Sequence, residues 1–217
     1  RRRHSFPTRR SSDLYDTYLS QTGAGSAYDP SRHCIWVQHK GTGWMFKYDI
    51  AGNVWTRPAP TNEGNAHNVG MEYVASQDLL LFISCREPGY SSVVPGWVLK
   101  IFDPVTNTYY VPTVTGSSVV GIAGGAPRPW WVPTLGVLAF WDNAANREYI
   151  STLTPPAGNW RTGTWTLGNL PVAGGNTVIP SARAQWGTFG RFSYSPRLRG
   201  FMLINKANEP VYFFASE

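Results

Sequence analysis

The chain has 217 residues, 42% of them hydrophobic and including ten Trp, eleven Tyr and ten Phe, so it can bury the core of one large or two small domains. No apolar run approaches the ~18 residues that a transmembrane helix needs, and no sustained i, i+3, i+4, i+7 spacing indicates an amphipathic helix. The 22 Gly and 17 Pro separate short aromatic and β-branched runs, which predicts an all-β fold with no membrane span.

Residues 1–14, RRRHSFPTRRSSDL, differ from the rest of the chain in composition. They closely resemble the peptide encoded when a sequencing-adapter oligonucleotide is translated at the end of a metagenomic contig, so we interpret them as a disordered, non-native segment. The alternative is a basic arm that binds an anionic polymer. Without them the net charge falls from +6 to +2, because 14 Lys and Arg remain against 12 Asp and Glu. That is too little for the basic surface of a nucleic-acid-binding protein, and we predict no nucleic-acid partner.

A twelve-residue phrase occurs four times, beginning at Tyr28, Tyr73, Trp131 and Tyr194. Each copy has an aromatic residue first, Pro or Ala third, a short turn, a mostly apolar strand and a polar stop. The copies begin 45, 58 and 63 residues apart, which is typical of a repeat architecture.

In chain order, the phrases anchor four predicted antiparallel meanders. The first has strands GSAYD, CIWVQ, WMFKYD and VWTRP, and the second has GMEYV, LLLFIS, WVLKIFD and TYYVP. The third has strands at 130–132, 137–141 and 147–152 and an outer strand around Trp165. The fourth has GRFSY, GFMLI and VYFFA, without a fourth strand.

The hairpins YDIAGNVW and FDPVTNTYY place Asp49 with Asp103 and Asn53 with Asn107. An aromatic–Asp–x–x–x–Asn–x–aromatic hairpin that closes a unit of about 50 residues resembles the kelch repeat of galactose-oxidase-like β-propellers. The resemblance implies four-stranded antiparallel blades, with Asp and Asn holding the outer turn. The Gly-Gly doublet usual after the second kelch strand is absent, so the chain is a divergent relative.

We therefore predict a partial kelch-like β-propeller over residues 15–217, with blades at roughly 20–58, 66–112, 121–170 and 183–217. We expect these four blades to belong to a propeller of about six or seven blades. Their partner would then be the missing N-terminal blades of the same chain. The alternative is a complete four-bladed ring. An open arc would expose apolar runs such as 79–83 and 201–204, which suit burial on both faces.

Strand parity places the long connections between blades, and those between second and third strands, at one end of the propeller. Binding residues concentrate on such loops, so we expect a ligand site there. Its polar and aromatic candidates are Asn65, His67, Arg86, Glu87, Tyr90, Arg128, Trp130, Asn143, Arg147, Gln185, Trp186 and Arg191. Aromatic faces stack on sugars and guanidinium groups hold carboxylates, although each residue could equally be an ordinary loop or packing residue.

No sequence motif of a hydrolase, nucleotide-binding or metal site occurs, so no catalytic residue, cofactor or metal is predicted. The favoured function is a non-catalytic scaffold that binds a glycan or a protein through the loop-rich face. The alternative is part of a carbohydrate-active hydrolase or lyase with its site at the propeller axis. The register predicts that Cys34 and Cys85 are free thiols, which leaves the compartment open, with an extracellular or periplasmic location favoured.

Overall fold

The computed structural model describes residues 25–39, 44–58, 69–85, 97–116, 127–141, 149–171, 178, 180–181 and 191–216. These residues form four small sheets and no helix, arranged as a four-blade β-propeller, so the predicted all-β propeller fold is confirmed. The described part of the chain accordingly holds no helix that could cross a bilayer. The interpretation of residues 1–14 lies outside the described residues and stays a prediction.

Within each sheet, or blade, the antiparallel strands follow the chain order, and β9 is added at the edge of blade 3. Blade 1 comprises β1 (Gly25–Asp29), β2 (Cys34–Gln38), β3 (Met45–Asp49) and β4 (Val54–Thr56). Blade 2 comprises β5 (Val69–Val74), β6 (Leu79–Cys85), β7 (Trp97–Asp103) and β8 (Thr108–Tyr110). Blade 3 comprises β10 (Pro129–Val132), β11 (Val137–Phe140), β12 (Tyr149–Thr154) and β13 (Trp165–Pro171), followed at its edge by β9 (Val114–Gly116). Blade 4 comprises β14 (Phe192–Ser195), β15 (Gly200–Leu203) and β16 (Tyr212–Ala215).

The repeated phrase folds as the first hairpin of every blade. Its sixth residue has a left-handed backbone in all four copies: His33 (φ 49°), Asp78 (φ 52°), Gly136 (φ 63°) and Arg199 (φ 46°). This conformation costs a non-glycine residue about 1–2 kcal/mol. Only one copy has glycine there, so the hairpin imposes the turn on the other three.

The outer hairpins of blades 1 and 2 have the turn geometry that the kelch resemblance implies. Asn53 and Asn107 both have φ of 53°, in the left-handed region that Asn tolerates. Asp49 accepts a hydrogen bond from the Gly52 amide at 2.9 Å, and Asp103 accepts one from the Val105 amide at 2.8 Å. The turn roles are thus confirmed, while membership of the kelch subtype stays a prediction.

The core consists of apolar layers between neighbouring blades. In β6, Leu80 and Phe82 enter the layer shared with blade 1, and Leu79, Leu81 and Ile83 enter the layer shared with blade 3. All five side chains are fully buried, which confirms that this second strand is sandwiched. A third layer joins blades 3 and 4.

Blade 4 is buried on one face only among the described residues, as expected for the apolar run 201–204 in an open arc. Phe201 and Leu203 are buried against blade 3, but Met202 is 37% exposed and Phe213, opposite it on β16, is 41% exposed. The described residues thus cover only one face of this strand, while the open arc itself stays a prediction. The blade number of a complete ring stays a prediction.

Strand β9 was not predicted. It pairs in parallel with β13, Val114 opposite Trp165, and the Trp165 amide donates to the Thr113 carbonyl at 2.8 Å. The segment that leaves blade 2 therefore covers the outer edge of blade 3. An outer strand with unpaired backbone groups invites aggregation, and β9 removes that risk here.

Salt bridges link successive blades at the end that carries the short turns, which we call the turn end. Arg32 of blade 1 contacts Asp78 of blade 2 through both of its terminal nitrogens at 2.6 Å, and Asp29 at 2.8 Å. Arg161 of blade 3 contacts Asp103 of blade 2 at 2.9 Å. Each arginine holds one blade at a fixed position against the next.

Gly70 of β5 lies where blade 3 approaches most closely, and we predict that Gly70→Ala destabilises the protein. A Cβ atom there would collide with the Pro127 carbonyl oxygen and the Pro129 ring. Overpacking of this kind costs about 1–3 kcal/mol, and more where backbone must move. Urea unfolding measures the change, and Gly158→Ala is the control because its Cβ would meet open space. Equal midpoints for the two variants would contradict the close approach of the blades.

The Arg32–Asp78 contact should make stability depend on acid pH. Hydrogen bonding to Arg32 lowers the pKa of Asp78, so its stabilisation is present above the unfolded pKa and is lost as pH falls through the lower folded pKa. Asp78→Asn keeps a residue that tolerates the left-handed turn and removes the charge. Because Asp78 is 39% exposed, we expect a loss of only about 1 kcal/mol at neutral pH. Urea titrations down to about pH 3 should show the two proteins converging; a constant gap would exclude the charge as its cause.

Candidate functional site

The inner strands of successive blades lie side by side, β1 against β5, β5 against β10 and β10 against β14. The strand ends joined by the connections between blades, and by those between second and third strands, lie opposite the turn end, at what we call the loop end. The start of β10 lies there, close to the two inner strands that precede it. Polar side chains at this position can therefore contact three blades at once.

Arg128 makes such a three-blade contact immediately before β10. One terminal nitrogen donates to the Ser26 carbonyl of blade 1 at 3.2 Å, and the other contacts the Glu72 carboxylate of blade 2 at 3.2 Å. Its Cζ also lies 5.7 Å from the centroid of the Trp130 ring. The side chain stays 22% exposed, so a guanidinium group fixed by the fold remains within reach of solvent.

Glu72 is the functional candidate that the sequence analysis missed. It lies within β5 and its side chain is 15% exposed. Burial raises its pKa to about 7, although Arg128 and a hydrogen bond from the Trp131 backbone both favour the charged form. The repeat contains a signal that could have identified Glu72. The other three copies have an uncharged residue at the equivalent position of the inner strand, namely Ala27, Trp130 and Ser193.

Of the twelve predicted site residues, the structure describes three. Arg128 lies beside the Trp130 ring, while Trp130 also packs against the layer between blades 3 and 4. The Arg191 carbonyl accepts a hydrogen bond from the Ile204 amide at 3.0 Å, which fits the alternative of a strand-capping role. The other nine lie outside the described residues and stay predictions: Asn65, His67, Arg86, Glu87, Tyr90, Asn143, Arg147, Gln185 and Trp186.

Buried polar groups also lie where the second strands of three blades finish, each in its own blade. Both amide atoms of Gln38, the indole nitrogen of Trp141 and the amide oxygen of Asn205 are buried without a hydrogen-bond partner in the described part of the chain. Gln38 is fully buried, and burial lowers the pKa of the adjacent His39. Because an unpaired buried polar group costs about 1–3 kcal/mol, these atoms indicate an environment suited to water or a polar ligand.

Within the described ranges, no group of three or more His, Cys, Asp and Glu side chains could hold a metal ion. Cys34 is a free thiol, as the strand register predicted. Its side chain is buried, and burial raises the pKa of the thiol. The side chain of Cys85 is outside the described residues. The site therefore offers a guanidinium group, a carboxyl group and an indole ring.

The sequence matches no protein-family model and no curated protein. In structure the chain is similar to an auxiliary nutrient binding protein from Bacteroides thetaiotaomicron, with 14% sequence identity and a TM-score of 0.53. The match covers 87% of this chain and 43% of that protein, so the chain spans less than half of its length. At this identity the similarity shows a shared fold.

We predict that Glu72→Gln removes a pH dependence of stability near neutrality. The folded pKa of about 7 lies above the ordinary value of 4.5, so the stabilisation is complete below about pH 4.5 and is lost as pH rises through 7. This difference between the folded and ordinary pKa of Glu72 corresponds to roughly 3 kcal/mol of unfolding free energy. Urea unfolding between about pH 4.5 and 8 should show wild-type stability falling relative to the variant. Parallel curves would contradict a protonated Glu72.

Proposed function

We propose that this chain is a non-catalytic recognition scaffold that binds a glycan or a protein through the loop end of its propeller. The observation that carries the proposal is Arg128, fixed by contacts with Ser26 and Glu72 beside the Trp130 ring and still partly exposed. A planar donor group beside an indole ring suits a ligand that offers both hydroxyl groups and flat apolar faces, as sugars do.

Two further findings support a binding role. The strand ends that the long connections join lie at the same end, and loops on a rigid scaffold often carry binding residues. The protein from Bacteroides thetaiotaomicron that shares this fold is described as nutrient binding, which makes a soluble nutrient such as a saccharide a reasonable ligand class. The nine predicted residues outside the described ranges are part of this proposal as additional loop contacts.

The test is binding of a panel of neutral and uronate-containing oligosaccharides, measured by calorimetry on the full chain. We expect Trp130→Ala to weaken binding about tenfold, because stacked aromatic residues often dominate such interfaces. Trp55→Ala is the matched control, because Trp55 lies on the outer strand β4. Its ring packs against the ring of Tyr48, with 4.9 Å between the two ring centroids. Equal losses in both variants would contradict a site at Trp130. Absence of binding across the panel would exclude these glycans and leave the protein-ligand form of the proposal.

A second candidate is a carbohydrate-active enzyme, and Glu72 is the observation that favours it. A buried carboxyl with a pKa of about 7 has the protonation behaviour of a general acid. The same oligosaccharides, incubated with the protein, would then release new reducing ends, and Glu72→Gln would stop the release. Intact oligosaccharides after long incubation with a protein that binds them would exclude this candidate.

A further inference from the structure

The contact between Arg128 and Glu72 is weak for an arginine–carboxylate pair. It consists of one nitrogen–oxygen contact at 3.2 Å, whereas Arg32 and Asp78 form two parallel contacts at 2.6 Å. Two-point pairing is the geometry that best matches a guanidinium group to a carboxylate. Glu72 therefore provides Arg128 with an incomplete counter-charge.

The surroundings of Glu72 weaken the pair further. The residues of blade 2 that face blade 3 beside it are apolar, and they include Val74, Leu81 and Leu99. From β10 the facing groups are the Arg128 guanidinium and the Trp131 backbone, and among the described residues only Arg128 acts on Glu72 as a charge. Burial raises the pKa of Glu72 to about 7, which makes proton uptake by Glu72 beside the charged Arg128 accessible near neutral pH.

An aromatic face lies beside the Arg128 guanidinium group. The Arg128 Cζ lies 5.7 Å from the centroid of the Trp130 ring, and the Trp130 side chain is half-buried. A sugar whose carboxylate pairs with the guanidinium group can therefore place a flat ring face against the indole.

We propose that Arg128, Glu72 and Trp130 form a binding site for an acidic sugar, and that the sugar carboxylate displaces Glu72 from Arg128 as Glu72 takes up a proton. This inference rests on the proposed function and specifies the ligand class of the same site. The ligand carboxylate forms the two-point pair that Glu72 does not, and the sugar ring lies against Trp130. The displaced Glu72 loses its counter-ion in an apolar environment, so it binds one proton from solvent.

The sign of the pH dependence follows from this exchange. Below about pH 7 most Glu72 side chains are already protonated, so an ionised ligand binds without proton uptake. Above that pH each binding event requires one proton, and the dissociation constant should rise about tenfold per pH unit. Neutral sugars lack the carboxylate and should show neither effect.

The experiment is calorimetric titration of the full chain with galacturonate, a galacturonate oligomer and galactose. Titrations at about pH 6, 7, 8 and 9 in phosphate and in Tris, whose ionisation enthalpies differ, report the number of protons exchanged. We expect acidic sugars to bind with uptake approaching one proton at the higher pH values. If the oligomer binds and the monomer does not, the natural source is a polymer; binding of both points to a free acidic sugar.

Two variants test the assignment of residues. Glu72→Gln should abolish proton uptake and flatten the pH profile, and Arg128→Gln should weaken binding of acidic sugars at least tenfold. Arg161→Gln is the matched control, because Arg161 pairs with a buried carboxylate at the turn end and should leave binding unchanged. If a variant does not fold, proton uptake by the wild-type protein still decides the proposal.

The two proposals fail in different ways. Equal binding of neutral and acidic sugars, without proton uptake, would overturn the acidic-sugar inference and leave the glycan-binding function in place. Acidic sugars that bind with a pH-independent affinity would also overturn it. If no sugar of either kind binds, both the inference and the glycan form of the proposed function are wrong.

Discussion

Face-to-face packing of apolar side chains between neighbouring blades is the constraint on which the rest of this structure depends. A blade such as β5–β8 has two apolar faces and can bury them only between two neighbours, and each fully buried Leu or Phe contributes about 2–3 kcal/mol. That packing sets the blades side by side and brings their first strands together. Arg128 reaches both Ser26 and Glu72 because three inner strands are held at that spacing.

Each end of the propeller pairs an arginine with a carboxylate, but the pKa of the carboxyl group changes in opposite directions at the two ends. At the turn end, two short hydrogen bonds from Arg32 outweigh burial and lower the pKa of Asp78. At the loop end, burial of Glu72 outweighs its single contact with Arg128 and raises its pKa to about 7. The turn end is therefore a fixed ionic link between blades. The loop end has a carboxyl group whose charge changes near neutral pH, which is a property that a ligand can exploit.

The site was only partly predictable. Arg128 and Trp130 could be assigned to the loop end because strand parity is a local pattern. Glu72 was missed because an inner strand was treated as packing, and its importance depends on an arginine 56 residues away in sequence. Strand β9 was missed for a similar reason, since a three-residue parallel pairing across about 50 residues leaves no local periodicity.

The sequence by itself determined the strands, their order within each blade and the outer turns, because alternation of side chains and the preferences of Asn and Asp act over a few residues. It also specified β6 as a strand buried on both faces. Only the tertiary structure decided which charges meet: Arg32 with Asp78, Arg161 with Asp103, and Arg128 with Glu72. Those ion pairs, and the pKa shifts that follow from them, depend on distances and burial between blades, which no local sequence pattern encodes.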